Sequence, residues 1–325
     1  MDSIILNEIG PAVSMRKVYG EALIQIGKDF PDVVVLSADV KNSDHSYMFE
    51  DHFPDRFINV GIAEQALVDV AVGFSKCGKI PVANTFAFLF ATRALEMVRT
   101  HLCYGQANVK LAGAYAGLSD SFDGPTHHSI TDLAIMAALP NMTVVVFSDP
   151  LNLQVLLPQI IKLDGPVYFR LCRNEVEPIF SSHYKPELGK GVQLMEGSDV
   201  SIIGCGILLS RCIKAAKELL KQGIHARVIE MHTIKPLDAD IVRKCALETG
   251  AIVTVEEHSV IGGLGSSVAH LLAKTTPVPM EMIGLNDRFA ETGPYHEILD
   301  KYGMAVDDIV SSVTKVLNRK KASHF

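Results

Sequence analysis

The sequence lacks the features of several protein classes. Its longest uncharged stretch near the candidate site, 80–92, is too short to cross a bilayer, so we expect no membrane association. The net charge is −7 and no basic cluster offsets it, so we expect no nucleic-acid partner. Residues 1–8 have neither a basic start nor a small-residue cleavage site, so we expect no secretory signal.

The cysteine pattern indicates a reducing compartment. The six cysteines are dispersed through predicted strands and helices, and no two are spaced as Cys-x-x-Cys. We therefore expect reduced thiols, most of them in the core of a cytoplasmic protein. The 325 residues, 48% of them apolar and 21% charged, are sufficient for two soluble globular domains.

Apolar runs in the first half of the chain predict a parallel sheet with helices on both faces. The runs are continuous rather than alternating, which is typical of strands that are covered on both sides. The predicted strands are 33–38, 57–60, 80–84, 109–114, 143–147 and 167–171. The predicted helices between them are 15–28, 62–76, 91–104, 130–139 and 151–163.

A polar, turn-rich segment separates this pattern from a second series of strands and helices. We predict domains at 1–180 and 199–325, joined by a linker at 181–198. The second series comprises predicted strands 200–204, 226–231, 252–256 and 280–284, and predicted helices 208–222, 238–248, 266–274 and 306–317. The fold class is therefore α/β, with two α/β domains of which the second is smaller.

The segment 59–65, Asn-Val-Gly-Ile-Ala-Glu-Gln, carries the most informative acidic residue. It connects a short predicted strand to a helix that is apolar at nearly every position, which predicts a helix buried on all sides. Glu64 then lies in the first turn of that helix, where an unpaired ionised carboxylate is costly. Such a group can hold or share a proton near neutral pH, or it can simply complement the helix dipole.

Other polar and aromatic residues are predicted to share one edge of the first sheet with Glu64. Ligands in open α/β sheets bind beyond the carboxyl ends of the strands. The residues that follow the predicted strands there are Asp39, Lys41, Asn42, Ser43, Phe86, Phe88, Phe90, Tyr115, 120–128, Arg170 and Arg173. Carboxylates, aromatic rings and arginines together predict a site for a flat ring and a small anion.

Five motifs in order make the chain similar to a known family. They are 59–65, Thr85-Phe86, Asp123-Gly-Pro-Thr-His127, Leu139-Pro-Asn-Met142 and Thr233-Ile-Lys-Pro-Leu-Asp238. The chain resembles the C-terminal half of transketolase, as found in transketolases that are divided between two genes. The resemblance implies a pyrimidine-binding domain followed by a mainly structural C-terminal domain.

The resemblance implies thiamine diphosphate chemistry, with Glu64 and His127 as catalytic residues. Glu64 takes the position of the glutamate that bonds the aminopyrimidine ring and promotes formation of the reactive carbanion. Asp39 and Phe86 match cofactor-contacting positions. The second cofactor aromatic of the family falls at or beside Leu89, so Phe88 or Phe90 is expected to replace it.

The resemblance also implies substrate contacts. Asp123 and His127 match residues that bind sugar hydroxyls, and Arg16, Ser43 and Arg173 match positions that hold a terminal phosphate. Three residues at the substrate mouth depart from the family, namely Tyr115 in place of a histidine and Ser121-Phe122 in place of Gly-Glu. These departures leave the identity of the sugar open, including whether its terminal anion is a phosphate.

The motif that binds the diphosphate and Mg²⁺ in the other half of transketolase is absent from this sequence. We therefore expect no metal site in this chain and an obligate partner, the N-terminal-half subunit, which holds most of the cofactor. The expected assembly is a heterotetramer acting on sugar phosphates. Alternatives are a β subunit of a 2-oxoacid dehydrogenase, part of a deoxyxylulose-phosphate synthase, or a non-catalytic relative.

Three weaker patterns have other interpretations. Gly204-Cys205-Gly206 with Glu230 suggests a dinucleotide site, but the third glycine of that fingerprint is replaced by Leu209. The run 262–265 could hold a phosphate or form a packing turn. The pair His127-His128 could bind a metal, but no further histidine or cysteine supplements it, which favours hydrogen bonding to substrate.

Overall fold

The computed structural model of the chain describes residues 5–7 and 10–322. Its strands are β1 (Val13–Ser14), β2 (Val33–Ser37), β3 (Phe57–Asn59), β4 (Ile80–Phe86), β5 (Lys110–Ala114), β6 (Thr143–Val146), β7 (Val167–Leu171), β8 (Glu175–Val176), β9 (Val192–Met195), β10 (Val200–Gly204), β11 (Ala226–Glu230), β12 (Thr233–Lys235), β13 (Ile252–Ser259) and β14 (Met280–Leu285). Its α-helices are α1 (Met15–Asp29), α2 (Lys41–Asp44), α3 (Tyr47–His52), α4 (Glu64–Lys76), α5 (Ala87–Ala91), α6 (Leu95–Met97), α7 (Asp132–Ala138), α8 (Pro150–Lys162), α9 (Leu209–Lys221), α10 (Ala239–Thr249), α11 (Leu264–Lys274), α12 (Tyr295–Lys301) and α13 (Val306–Ala322).

The first sheet has seven strands in the order β12-β6-β7-β5-β4-β2-β3. All neighbours are parallel except β12, which is antiparallel to β6. Side chains of β2 alternate between two cores, since Val33 and Val35 pack with α1 and α8, whereas Val34 and Leu36 pack with α4 and α7. The continuous apolar runs therefore cover a sheet with helices on both faces, and the predicted fold class is confirmed.

The second sheet has five strands in the order β14-β13-β10-β11-β9, with β9 antiparallel and the others parallel. Strand β9 lies inside the segment 181–198 that the sequence predicts as linker. The exact division of the chain into domains therefore stays a prediction. The largest apolar core contains Leu36 and Tyr168 from the first sheet and Ile203 and Ile229 from the second, so the two sheets share one core.

Two predictions for the helices of the first sheet are wrong. The predicted helix 91–104 is not one continuous α-helix, because α5 ends at Ala91 and the helical structure resumes only with α6, followed by a π-helix, Val98–Tyr104. Thr92 interrupts it, and its hydroxyl donates to the Phe88 carbonyl at 2.6 Å. Helix α4 is not buried on all sides, because only its inner face packs on the sheet, and Val70 on the outer face is 37% exposed.

Two findings concern possible membrane spans and the state of the cysteines. Within the described ranges, no helix has both the length and the apolar character needed to span a membrane. All six cysteines are unpaired, and four of them are buried: Cys103, Cys205, Cys212 and Cys245. Burial raises the pKa of the Cys103 thiol to about 11, so at neutral pH it is an unreactive core side chain.

Candidate active site

Glu64 begins helix α4 at the carboxyl edge of the first sheet and is only 2% exposed. Arg93 Nη1 donates to both carboxylate oxygens, at 3.3 and 3.1 Å. The arginine side chain is 55% exposed, so a buried anion is paired with a cation that reaches it from the surface. The sequence interpretation missed Arg93, although it is the first charged residue after the uncharged stretch 80–92.

Asn59 connects the ends of strands β2 and β3. Its side-chain Nδ2 donates to Asp39 Oδ1 at 2.9 Å, and its side-chain Oδ1 accepts from the backbone N–H groups of Asp39 and Gly61. Asp39 has a φ of 63°, a left-handed conformation that aspartate tolerates better than most residues. This arrangement holds the exposed Asp39 carboxylate beside the loop that leads to Glu64.

The predicted aromatic residues occupy two different environments. Phe86 stacks on Tyr115 with ring centroids 4.8 Å apart, and Phe88 meets His127 edge-on at 5.2 Å. Phe90 is completely buried in the core and cannot contact a ligand there. Helix α5 directs the Phe90 ring inward, whereas Phe88 remains half-buried at the site, so burial favours Phe88 of these two aromatics. The cofactor contact itself stays a prediction.

The residues predicted to hold the terminal anion of the substrate, here called the clamp, meet at Tyr115. Arg16 Nη1 donates to the Tyr115 hydroxyl at 3.2 Å and to the Ser43 backbone carbonyl at 3.0 Å. The Arg173 guanidinium lies over the Tyr115 ring, 4.9 Å from its centroid. The structure thus brings Arg16, Ser43, Tyr115 and Arg173 together, with Ser43 contributing its carbonyl oxygen to this contact.

Two aspartates pair with Arg173. Its Nη1 atom forms a short contact with Asp120 Oδ1 and lies 3.3 Å from Asp123 Oδ2. Asp120 is 1% exposed; burial and the neighbouring Asp123 raise its pKa, Arg173 opposes them, and the result is about 6. The sequence interpretation gave Asp120 no role, although its position three residues before Asp123 was visible.

The comparisons with known proteins identify the family. The profile of the transketolase pyrimidine binding domain matches residues 11–178, and that of the transketolase C-terminal domain matches residues 189–309. The chain belongs to the transketolase family. Transketolases depend on thiamine diphosphate, and this chain corresponds to the C-terminal subunit of a two-chain transketolase.

Relatives of similar length match this transketolase chain almost from end to end. It is 37% identical over 309 residues to a putative transketolase C-terminal section of Methanocaldococcus jannaschii, covering 94% of this chain and 97% of that one. It is 38% identical over 306 residues to a 6-deoxy-6-sulfo-D-fructose transketolase subunit of Clostridium sp. strain MSTE9, covering 94% and 95%. The solved structure of a split gene transketolase, described as an inactive beta4 tetramer, has 44% identity and a TM-score of 0.89, covering 95% and 99%.

The second domain of this transketolase chain holds the loop that carries Asp120 and Asp123. Glu257 Oε1 accepts from the Leu118 backbone N–H at 2.6 Å, and Tyr295 donates its hydroxyl proton to Glu257 Oε2 at 2.9 Å. The Gly293 N–H donates to the Ser121 carbonyl at 3.1 Å. The second domain is therefore more than an appended structural unit, because it fixes the backbone of the candidate substrate loop.

The two adjacent histidines have different environments. His127 is half-buried at the mouth, where its Nδ1 lies 3.0 Å from the Thr126 hydroxyl. His128 is buried, and burial followed by the charge of His127 lowers its pKa to about 4, so it is neutral at pH 7. Among the described residues no group of three His, Cys, Asp or Glu side chains could hold a metal ion.

The structure assigns packing roles to the glycine-rich turns. A Cβ atom on Gly204 would lie 2.8 Å from Cys212 Sγ, so that glycine serves close packing between strand and helix. At the N-terminus of α11, the Glu256 carboxylate accepts from the backbone N–H groups of Leu264 and Gly265 at 2.7 and 2.8 Å. That helix end therefore binds its own carboxylate, which leaves no place for a phosphate.

Proposed function

We propose that this chain and an N-terminal-half subunit together transfer a two-carbon ketol unit from a phosphorylated or similarly anionic ketose to an aldose. The observation that supports this most directly is the buried Glu64 carboxylate at the edge of the first sheet, in a chain that matches both transketolase profiles. The donor, the acceptor and the roles of individual residues are part of the proposal.

The described residues fit the aminopyrimidine end of thiamine diphosphate. Arg93 is the one described side chain that hydrogen-bonds to the Glu64 carboxylate, and it comes from the surface, so a bound ring nitrogen can take its place. When bound, the cofactor supplies a nucleophilic carbon for the ketose carbonyl. In this proposal Glu64 holds a proton at its carboxylate oxygen, while Asp39, Phe86 and Phe88 orient the ring. The diphosphate and Mg²⁺ are assigned to the partner.

In this proposal the loop 120–128 and the two arginines at Tyr115 bind different parts of the substrate. His127 and Asp123 bind hydroxyl groups at the mouth, where both side chains are accessible to solvent. Arg16 and Arg173 bind the far end of the sugar, with Tyr115 between them. Because these contacts are made before and during the reaction, they contribute mainly to substrate affinity.

The outer surface of helix α4 supports the proposed partnership. Ile62, two residues before the helix, is 76% exposed, and Ala66 and Val70 on the helix are exposed as well. Apolar residues clustered around a candidate catalytic group are typical of a surface covered by another subunit. We place the partner or a second copy of this chain there, in a heterotetramer located in the cytoplasm, where six unpaired thiols stay reduced.

Reconstitution tests this function. The purified chain alone is expected to bind thiamine diphosphate weakly and to transfer no ketol unit. Addition of the N-terminal-half subunit with Mg²⁺ is expected to produce both tight cofactor binding by calorimetry and transfer from fructose 6-phosphate or its 6-sulfonate analogue. Tight, Mg²⁺-dependent binding of thiamine diphosphate to the chain alone would contradict the assignment of the diphosphate and Mg²⁺ to the partner subunit. Absence of ketol transfer by the assembled pair with every ketose tested would contradict the proposed reaction.

A further inference from the structure

The two arginines at Tyr115 differ in how their charges are balanced. Arg173 contacts Asp120 and lies 3.3 Å from Asp123, so carboxylates already offset its charge. Arg16 donates to a carbonyl and a hydroxyl, and no carboxylate of the described residues lies within 4 Å of its guanidinium nitrogens. Arg16 is therefore the arginine of this pair whose charge no described carboxylate within 4 Å offsets.

Two buried atoms without hydrogen-bond partners lie among these charged groups, where little solvent screens the charges. Asp120 Oδ2 is buried and accepts no hydrogen bond, so the negative charge of that carboxylate is satisfied only through its other oxygen. Arg16 Nε is also buried and has no acceptor. Charges in such an environment interact more strongly than in water, because little solvent screens them. Asp44, buried and electrostatically coupled to Arg16, adds further negative potential.

We propose that Asp120 is a specificity-determining residue, which makes the tail site prefer a singly charged sulfonate over a phosphate dianion. A phosphate monoester carries a charge of about −1.5 to −2 at pH 7, whereas a sulfonate carries a single charge. Arg16, the guanidinium without a carboxylate partner within 4 Å, can form one ion pair with the single charge of a sulfonate. The second charge of a phosphate would face Asp120 at close range, which disfavours binding.

This inference rests on the proposed ketol transfer and specifies which anionic group the ketose carries at its far end. A second interpretation is that Asp120 only orients Arg173 for an anion, as carboxylates often do for a guanidinium. The two interpretations differ in a measurable way. Loss of an orienting group would weaken every charged tail equally, whereas loss of a charge filter would favour the phosphate alone.

The experiment uses the assembled two-chain enzyme at pH 7.5, where Asp120, whose pKa is about 6, is ionised. Donors are fructose 6-phosphate, 6-deoxy-6-sulfofructose and fructose, compared by kcat/KM. We expect the wild-type enzyme to prefer the sulfonate to the phosphate by at least about tenfold, and Asp120→Asn to shift this ratio by about tenfold toward the phosphate. The control Asp240→Asn removes one charge from an exposed Arg243–Asp240 pair and should leave the ratio unchanged.

A binding measurement gives a readout that does not depend on turnover. Glycerol 3-phosphate and 2,3-dihydroxypropane-1-sulfonate differ only in their tails, and calorimetry on the assembled enzyme should show the same shift in relative affinity. A wild-type preference for phosphate would overturn the inference without any variant. Equal losses for both tails in Asp120→Asn would support orientation only and would also overturn it. Transfer from none of the donors would instead refute the ketol transferase itself.

Discussion

Glu64 and Arg93 form an ion pair whose members lie at very different depths. The carboxylate is 2% exposed and the guanidinium 55%, so the arginine can withdraw into water while the glutamate cannot. A buried carboxylate that loses such a partner needs another donor, since an isolated buried charge is unstable. In the proposed enzyme that donor would be a ring nitrogen of the aminopyrimidine once it has taken the proton that Glu64 holds.

Replacement of Glu64 by glutamine tests its proton-transfer role. Glu64→Gln keeps the shape and hydrogen-bonding capacity of the side chain but removes its acid–base function. In the assembled enzyme we expect turnover to fall by about 10²–10⁴-fold, the usual contribution of a positioned proton-transfer group. Deuterium exchange at the thiazolium carbon, followed by NMR, should slow in parallel.

Glu218→Gln is the matched control, because it changes an exposed glutamate that pairs with Lys221 on helix α9. Turnover and exchange should both remain at the parent rate in that variant. Exchange at the parent rate in Glu64→Gln would show that another group activates the cofactor.

Arg16 provides the second test at this scale. Its removal eliminates a charge-assisted hydrogen bond worth about 1.5–3 kcal/mol, or about one to two decades in affinity. Arg16→Ala should therefore raise KM for a charged ketose by about 10–100-fold with a small change in kcat, and should affect fructose little. Steady-state kinetics with matched charged and neutral ketoses measure this. Equal penalties would show that Arg16 does not bind the tail, and Arg243→Ala, on the surface, serves as control.

At the scale of elements, the sequence predicted what depends on local pattern. Every residue of β2, β5 and β7 is buried, and their mainly apolar runs were sufficient to place them in a parallel sheet, although β5 includes Lys110 and β7 includes Arg170. The short strands β9 and β12 were missed, because they are defined by pairing with strands distant in sequence rather than by their own composition.

The outer face of helix α4 was also beyond the sequence pattern. An apolar residue looks the same in a sequence whether it packs inside one chain or against another, so the helix was predicted to be buried on all sides. Val70→Asp tests this surface. We expect the variant chain to keep its melting temperature but to lose assembly with the N-terminal-half subunit, because an unpaired charge would be buried in the interface.

Light scattering and calorimetry measure that outcome. Leu247→Asp provides the control, since Leu247 is an exposed apolar residue on helix α10, distant in sequence from Glu64. Assembly of Val70→Asp with unchanged affinity would exclude this face of α4 from the interface. Unfolding of the isolated variant would instead show that Val70 contributes to the core.

At the scale of the whole molecule, the motifs predicted the family and the sheet edge that gathers the candidate site. They could not predict Arg93 or Asp120, because the roles of these residues depend on which side chains the fold places opposite them. For Phe90 the sequence pattern suggested a role at the site, whereas the fold buries the ring in the core. It lies two residues after Phe88 in the same short helix, yet only the three-dimensional packing distinguishes a core ring from an exposed one.

A buried network joins the two domains around Glu230. Tyr184 donates its hydroxyl proton to Glu230 Oε2, and Asn152 Nδ2 donates to Oε1 at 3.0 Å. Burial raises the pKa of Glu230 to about 8 from an unfolded value of about 4.5. The folded chain thus binds this proton more tightly than the unfolded chain, and the associated stability is lost as pH rises from about 4.5 to about 8.

Glu230→Gln makes that loss measurable. Glutamine stays neutral, so the free energy of unfolding of the variant relative to the wild type should rise with pH, with a limiting slope of about 1.4 kcal/mol per pH unit. Urea unfolding at pH 5, 6.5 and 8 tests this, with Glu218→Gln as a control whose difference from the wild type should be constant. A difference for Glu230→Gln that is independent of pH would contradict a buried, protonated Glu230.

Strand β12 determines where this protein can be divided. It belongs by sequence to the second half, yet Thr233 and Lys235 pair with Val145 and Val144 of β6, and the His232 carbonyl accepts from the Val146 N–H at 2.8 Å. A fragment ending at the linker would leave β6 as an open edge with unsatisfied donors and valine side chains. Such edges recruit strands from other molecules. Expression of the first domain alone should therefore yield aggregates, unless residues 232–235 are retained as a graft to cover that edge.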